Sequence, residues 1–205
     1  MKLQIVSNGN SKLLKDGIVS INLPPVITCP SAGDCKRYCY ACIGLQAMGN
    51  AKQKRLNTLE IFKRSPKEFK DICIQEIKRV KAKTVRFHDS GDIFSLRYLK
   101  TLCDICESMP EIKFYAYTKS LKILAKFGWD NLPLNFKIIQ SYGGKNDSLI
   151  DRDKPFALVL GIGEEIPVGF IDGSESDLPS ATYATKIALP IHGGRKNKFA
   201  INSKI

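Results

Sequence analysis

Four cysteines fall within one stretch, Cys29-Pro-Ser-Ala-Gly-Asp-Cys35-Lys-Arg-Tyr-Cys39-Tyr-Ala-Cys42, and these are the residues of the chain best suited to chemistry. Deprotonated thiols are ligands for soft metals. A structural zinc site usually gathers its ligands from two separated segments, whereas an iron–sulfur cluster is often wrapped by a single tight run of cysteines. The spacing therefore predicts an iron–sulfur cluster, of the 4Fe-4S type, ligated by Cys29, Cys35, Cys39 and Cys42. Zinc and unliganded thiols are the alternatives. Lys36 and Arg37, inside the run, would offset part of the negative charge of a thiolate-bound cluster.

The other three cysteines read differently. Cys73, Cys103 and Cys106 lie on apolar helical stripes, where a free cysteine behaves as a small buried hydrophobe. Cys103 and Cys106 form a Cys-x-x-Cys, but inside a helix rather than at the start of one, which argues against a redox pair.

His88, one of two histidines, ends a strand beside Asp89, a position where barrel and open-sheet proteins place functional groups. It is a candidate metal ligand or proton carrier, and a strand-end residue satisfied by local hydrogen bonds is the plain alternative. Tyr115, Tyr117, Thr118 and Lys119 run along and past the next strand, so the two tyrosines share a face that either lines a pocket or packs in the core. Gln140, Ser141 and Tyr142 end the following strand and invite the same reading. The segment from His192 to Lys198 offers Arg195 and Lys196 to a phosphate, or is a solvated basic tail.

These groups must be positioned by the surrounding chain. At 205 residues with 43% hydrophobic and 25% charged residues, the sequence can bury one core and reads as a single globular domain over 1–205. The segment from Met1 to Gly17 lacks the apolar core of a signal peptide, and no run is long enough to span a bilayer, so a cytoplasmic protein with no membrane partner is expected. In that compartment seven cysteines point to metal rather than to disulfides. The 32 Lys and Arg against 20 Asp and Glu leave a net charge of +12, which attracts polyanions and makes nucleic acid a candidate partner beside a small-molecule ligand.

Short apolar runs alternate with amphipathic stretches, the pattern of strands and helices interleaved around a mostly parallel sheet. The expected strands are Ile18 to Leu23, Thr84 to His88, Ile112 to Thr118, Phe136 to Ser141, Phe156 to Ile162 and Lys186 to Ile191, with a weaker one from Val168 to Asp172. Helices are expected over Ala51 to Arg64, after the cap formed by Ser65, Pro66 and Glu68, and after Ser95. The second carries Phe69, Ile72, Cys73, Ile77 and Val80 on one stripe, and the third Leu99, Leu102, Cys103 and Cys106. Shorter helices are expected after Lys119 and Asn146. Only a few residues separate Ile162 from Val168, too few for a helix after every strand. The expected fold class is α/β, an incomplete βα barrel of about six mostly parallel strands, or an open sheet of similar winding.

Two resemblances bear on function. Cys35, Cys39 and Cys42 have the spacing CxxxCxxC, with Tyr40 beside them, which is similar to the cluster motif of radical S-adenosylmethionine (SAM) enzymes. That family places the motif after the first strand of a partial barrel and holds the SAM amine at the end of the second strand. The resemblance thus implies that Ser90, Gly91 and Asp92 bind SAM, and that His88, Asp89 and Asp92 are catalytic candidates beside the cluster. Tyr115, Tyr117 and Lys119 are the further candidate cofactor-binding residues. The chain more closely resembles the phage gene product 88 family through Cys39-Tyr40-Ala41, His88-Asp89-Ser90-Gly91-Asp92 and Phe114-Tyr115-Ala116-Tyr117-Thr118-Lys119. That likeness spans about Pro24 to Leu121 and implies residence in the host cytoplasm, without implying an activity. Three functions follow as expectations: a radical-SAM-like iron–sulfur enzyme, a non-enzymatic iron–sulfur or zinc protein that binds nucleic acid, or a cluster enzyme acting on a small ligand without SAM.

Overall fold

The computed structural model describes residues 4–37, 39–42, 47–161 and 163–191. Its centre is an eight-stranded sheet in the order β1-β2-β3-β4-β5-β6-β8-β7. The strands are β1 Val6–Ser7, β2 Val19–Ile21, β3 Thr84–Phe87, β4 Lys113–Thr118, β5 Phe136–Ser141, β6 Phe156–Leu160, β7 Ile171–Asp172 and β8 Lys186–Pro190. Only β1 is antiparallel to its neighbour. The sheet is open, with β1 and β7 as edges, rather than a closed barrel.

From β2 to β6 the strands follow chain order without reversal. Right-handed crossovers that always step the same way lay their helices on one face of the sheet. Helices α2 Gly49–Arg64, α3 Pro66–Arg79, α4 Leu96–Glu107 and α5 Leu121–Phe127 occupy that face, while α1 Ser11–Lys15 precedes β2 and α6 Leu178–Ala181 precedes β8. Local chemistry sets the helix starts: the Ser65 hydroxyl accepts from the Glu68 amide ahead of Pro66, and the Ser95 hydroxyl accepts from the Tyr98 amide. Phe62, Phe69 and Tyr98 from the helices meet Phe87, Phe114 and Phe136 from the strands in the main core. Burying each such side chain contributes about 1.5–3 kcal/mol. Cys73, Cys103 and Cys106 lie in this core, away from the cysteine loop.

Strand pleating turns the alternate residues to the other face. There Tyr115, Ile139, Ala157 and Ile187 pack against Leu13 of α1 and Ala181 of α6. Several expectations are corrected in detail. The sheet has eight strands rather than about six, because the two-residue β1 is too short for any periodicity and is recruited by Glu76, whose carboxylate accepts from the Ile5 and Val6 amides. The helix expected after Asn146 is only a 3-10 turn, Asp147–Leu149, and the weak strand from Val168 shrinks to Ile171–Asp172 at the edge. Among the described residues no helix is long and apolar enough to cross a membrane.

Candidate functional site

Side chains from the carboxyl ends of the parallel strands and from the loop after β2 enclose a cavity of about 490 Å3. Open α/β sheets bind ligands at this end because their loops converge there. Cys29, Cys35 and Cys39 line it together with His88, Asp89, Ser90, Gly91 and Asp92 after β3, and with Tyr117 and Lys119 at the end of β4. Cys42 is exposed and lines an adjoining pocket of about 200 Å3 beside Lys52 and Arg55.

The cysteine loop is built from two 3-10 turns, Asp34–Lys36 and Tyr40–Cys42, and is clasped to the end of β3. The Leu23 amide donates to the Ser90 carbonyl, and the Ser90 hydroxyl donates back to the Leu23 carbonyl, both at 2.9 Å. Gly91 has φ +90°, and a Cβ there would stand 2.6 Å from Leu23 Cβ and 2.7 Å from Thr28 Oγ1. Glycine alone permits this approach of the β3 turn to the root of the loop. The Tyr40 hydroxyl donates to the Asp89 carbonyl. Arg55, buried in α2, donates to the Ala41 carbonyl at 3.5 Å and lies 3.9 Å from the Asp89 carboxylate. The basic helix α2 thus turns Arg55 inward, and Lys54 too donates to the Val6 carbonyl.

Burial opposes ionisation of the buried thiols, and a thiolate at one would raise its neighbours further. Burial, then the nearby Asp92 carboxylate, pushes Cys29 up to about 12, with Cys35 and Cys39 adding to the rise. Burial also raises Cys35, and Lys119 opposes that rise. Cys39 is raised by burial and by Cys42 beside it. Such thiols ionise when a cation or metal arrives to stabilise the thiolate. Among the described residues no group of three or more His, Cys, Asp and Glu side chains is arranged to hold a metal ion. A lone zinc draws its sulfurs to about 2.3 Å from one point, whereas a polynuclear cluster holds thiolates farther apart. Cys29, Cys35 and Cys39 line one cavity and Cys42 the adjoining pocket, so the four thiols of the loop form an all-sulfur donor set.

The carboxylates and histidine after β3 have defined partners. Asp92 is buried; Oδ1 accepts from Thr118 Oγ1 and the Ile93 amide, both at 2.6 Å, and Oδ2 accepts from the Lys119 amide at 3.0 Å. Burial raises its pKa while these donors oppose the rise. Asp92 thereby ties the turn after β3 to the end of β4. His88 has φ +68°, rare for a residue with a side chain, and its Nε2 pairs with Tyr98 Oη at 2.9 Å in the helix layer. Burial, with help from Arg86, lowers its pKa to about 3. Asp89 donates its amide to Asn22 and is raised by burial against the pull of Arg86 and Arg55.

The wall facing the loop is a network that no motif announced. Asp177, fully buried, takes Lys12 Nζ on Oδ1 and Arg86 Nη1 on Oδ2, each at 2.6 Å, and the Tyr115 hydroxyl at 2.7 Å. Tyr115 therefore lies behind the cavity lining, while Tyr117 lies on it, with its hydroxyl on Ser180 and its ring 5.0 Å from the Arg86 guanidinium. Arg86 had one readable sign: a charge between Val85 and Phe87 must face away from the helix-covered side. Lys12 and Asp177 carried none, since they meet only through the fold. The tail residues Arg195 and Lys196 and residue Ile162 lie outside the described residues.

The gene product 88 family model matches residues 4–196, nearly the whole chain. The match supports that resemblance and lends none to radical SAM enzymes. No curated protein and no solved structure matches the chain.

Proposed function

We propose that this chain, which belongs to the gene product 88 family, is an iron–sulfur protein whose cluster would be held by the Cys29 to Cys42 loop and would border a ligand cavity. One observation carries the reading: Cys29, Cys35 and Cys39 face the same cavity as Asp92, Lys119 and Ser141, so thiols and ligand-binding groups share one space. A bound cluster supplies one-electron chemistry and, at an iron without a thiolate, a Lewis acid. The chain's own residues set the surroundings. Arg55 and Tyr40 hold the loop against β3.

Among the cluster readings we favour a small ligand bound without SAM. Asp92, the carboxylate a SAM amine would use, is buried and already accepts three hydrogen bonds within the protein, so most of its acceptor capacity is spent. The net charge of +12 supports nucleic-acid binding as a second reading, distinguished by a steep log-linear loss of affinity with salt.

The test is anaerobic purification followed by visible absorption, paramagnetic resonance, and iron and sulfide analysis. A brown protein that bleaches on reduction, with iron and sulfide in cluster ratio, is expected. Colourless protein carrying one zinc per chain overturns the proposal in favour of a structural metal site.

A further inference from the structure

We propose that the cavity beside the cysteine loop binds a small molecule with an anionic head, a carboxylate or a phosphate, on an apolar body, and that Lys119 recognises the charge. This deepens the ligand half of the reading above, and its test separates the two. Lys119 Nζ donates to the neutral Ser141 hydroxyl at 2.6 Å, and among the described residues no carboxylate lies within ion-pair distance of it. The nearby carboxylate of Asp92 is taken up by Thr118 and by the Ile93 and Lys119 amides. Across the cavity Lys12 and Arg86, two cations, share the single carboxylate of Asp177. The lining carboxylate Asp89 faces Arg55, so among the described residues Lys119 is the lining cation with no carboxylate within ion-pair distance. An ammonium in a partly desolvated space gains most from an anion, because charge-assisted hydrogen bonds strengthen as water is excluded.

The remainder of the wall sets the body of the ligand. Val159, Leu189, Pro190 and Ile191 present an apolar surface at the same cavity. At about 490 Å3 the space falls within the range of small-molecule sites. Polar groups concentrated on one side and apolar groups on another select an amphipathic acid over a fully polar metabolite. The phosphate or carboxylate would lie against Lys119 and Ser141, on the side nearer Cys35, whose thiol feels the Lys119 charge.

The experiment uses the full chain, purified anaerobically, with 8-anilinonaphthalene-1-sulfonate as a fluorescent reporter of the cavity. Hexanoate, hexyl phosphate and 1-hexanol, which share one chain and differ in head group, then compete with it. The expected result is that an anionic competitor displaces the reporter about 10- to 100-fold more potently than hexanol, the factor carried by one charge-assisted hydrogen bond. Hexanoate and hexyl phosphate separate the two head groups. Lys119→Met should abolish that preference while leaving hexanol unchanged, and Lys119→Arg should keep it; thermal melts of both variants verify folding. Equal potency of hexanol and the acids overturns the proposal. So does a Lys119→Met variant that keeps the preference but shifts the reduction potential of bound iron, because Lys119 would then serve the thiolates. Iron analysis on the same samples reports separately on the cluster: iron-free protein that retains the anion preference keeps this site and loses the iron–sulfur reading.

Discussion

Asp177→Asn removes one charge from a buried ion-pair network behind the cavity wall while preserving the side-chain shape. Asp177 is 0% exposed and bonds Lys12 and Arg86 at 2.6 Å each and the Tyr115 hydroxyl at 2.7 Å. Deleting one partner of a buried ion pair costs about 3–5 kcal/mol, because the charges left behind have lost water without compensation. Here two like charges are left facing one amide. Lys12 and Arg86 keep 19% and 13% side-chain exposure, which sets the expected loss at the lower end, about 3 kcal/mol. For a chain of this length that corresponds to a fall in Tm of roughly 6–12 °C. The variant also changes the acid response. Burial alone would raise the Asp177 pKa, but Arg86, Lys12 and the Tyr115 hydroxyl outweigh it and hold the carboxyl below its ordinary range. A group whose folded pKa is depressed stabilises the fold above its unfolded value, near 4, and the contribution disappears as pH falls through the folded value. Wild type should therefore lose stability in that acid window more steeply than the variant. Asp16 also faces the network, accepting from the Asp177 amide and the Ser176 hydroxyl. Urea melts from pH 2.5 to 7 measure both effects. A shift under about 1 kcal/mol, or parallel acid limbs in the two proteins, would refute the network as a stabilising element.

Two further outcomes test how the cysteine loop is held. Cys35→Ala or Cys39→Ala should abolish iron retention, whereas Cys103→Ala, in the helix layer, should leave iron content unchanged and cost about 1 kcal/mol of stability through a small cavity; equal iron loss in both classes would place the ligands wrongly. Arg55→Met should lower iron retention although no thiol is altered, since Arg55 pins the Ala41 carbonyl between Cys39 and Cys42 and sits against buried Asp89. Full iron in a folded Arg55→Met protein would show that the loop holds its shape without the clasp.

Much of the architecture was legible because the signals were local. The Ser65-Pro66-Glu68 cap, the Phe69 to Val80 stripe and the β4 and β5 runs each announce an element within a dozen residues, and the elements lie where that chemistry puts them. β1 escaped because it has two residues and is held by remote partners, Glu76 and β2, while the weak strand expected from Val168 is shorter because only Ile171 and Asp172 pair with β8. The site divided the same way. Contiguous motifs brought the cysteine loop, Ser90 to Asp92, Tyr117 and Lys119 to one cavity. Lys12 and Asp177 are separated by most of the chain and meet only when α1 and the segment before α6 pack on the same face of the sheet, so no spacing rule could pair them.

The Asp92 latch shows why a motif can be read correctly in place and differently in role. A carboxylate at the end of the second parallel strand suits a ligand amine, and the sequence gives no means of knowing what else will reach it. In the fold, Thr118 and Lys119 reach it first, because β4 lies beside β3 in parallel register and Phe87 pairs with Ala116, two residues before Thr118. The consequence runs on to the cavity. By fixing the Lys119 amide, Asp92 sets where that residue leaves the end of β4, and the Lys119 side chain then reaches Ser141 at the end of β5 rather than folding back onto Asp92. With Asp92 engaged by backbone amides and Thr118, no carboxylate among the described residues lies within ion-pair distance of the Lys119 ammonium on the cavity wall, and the proposed preference for an acid over an amine rests on that arrangement.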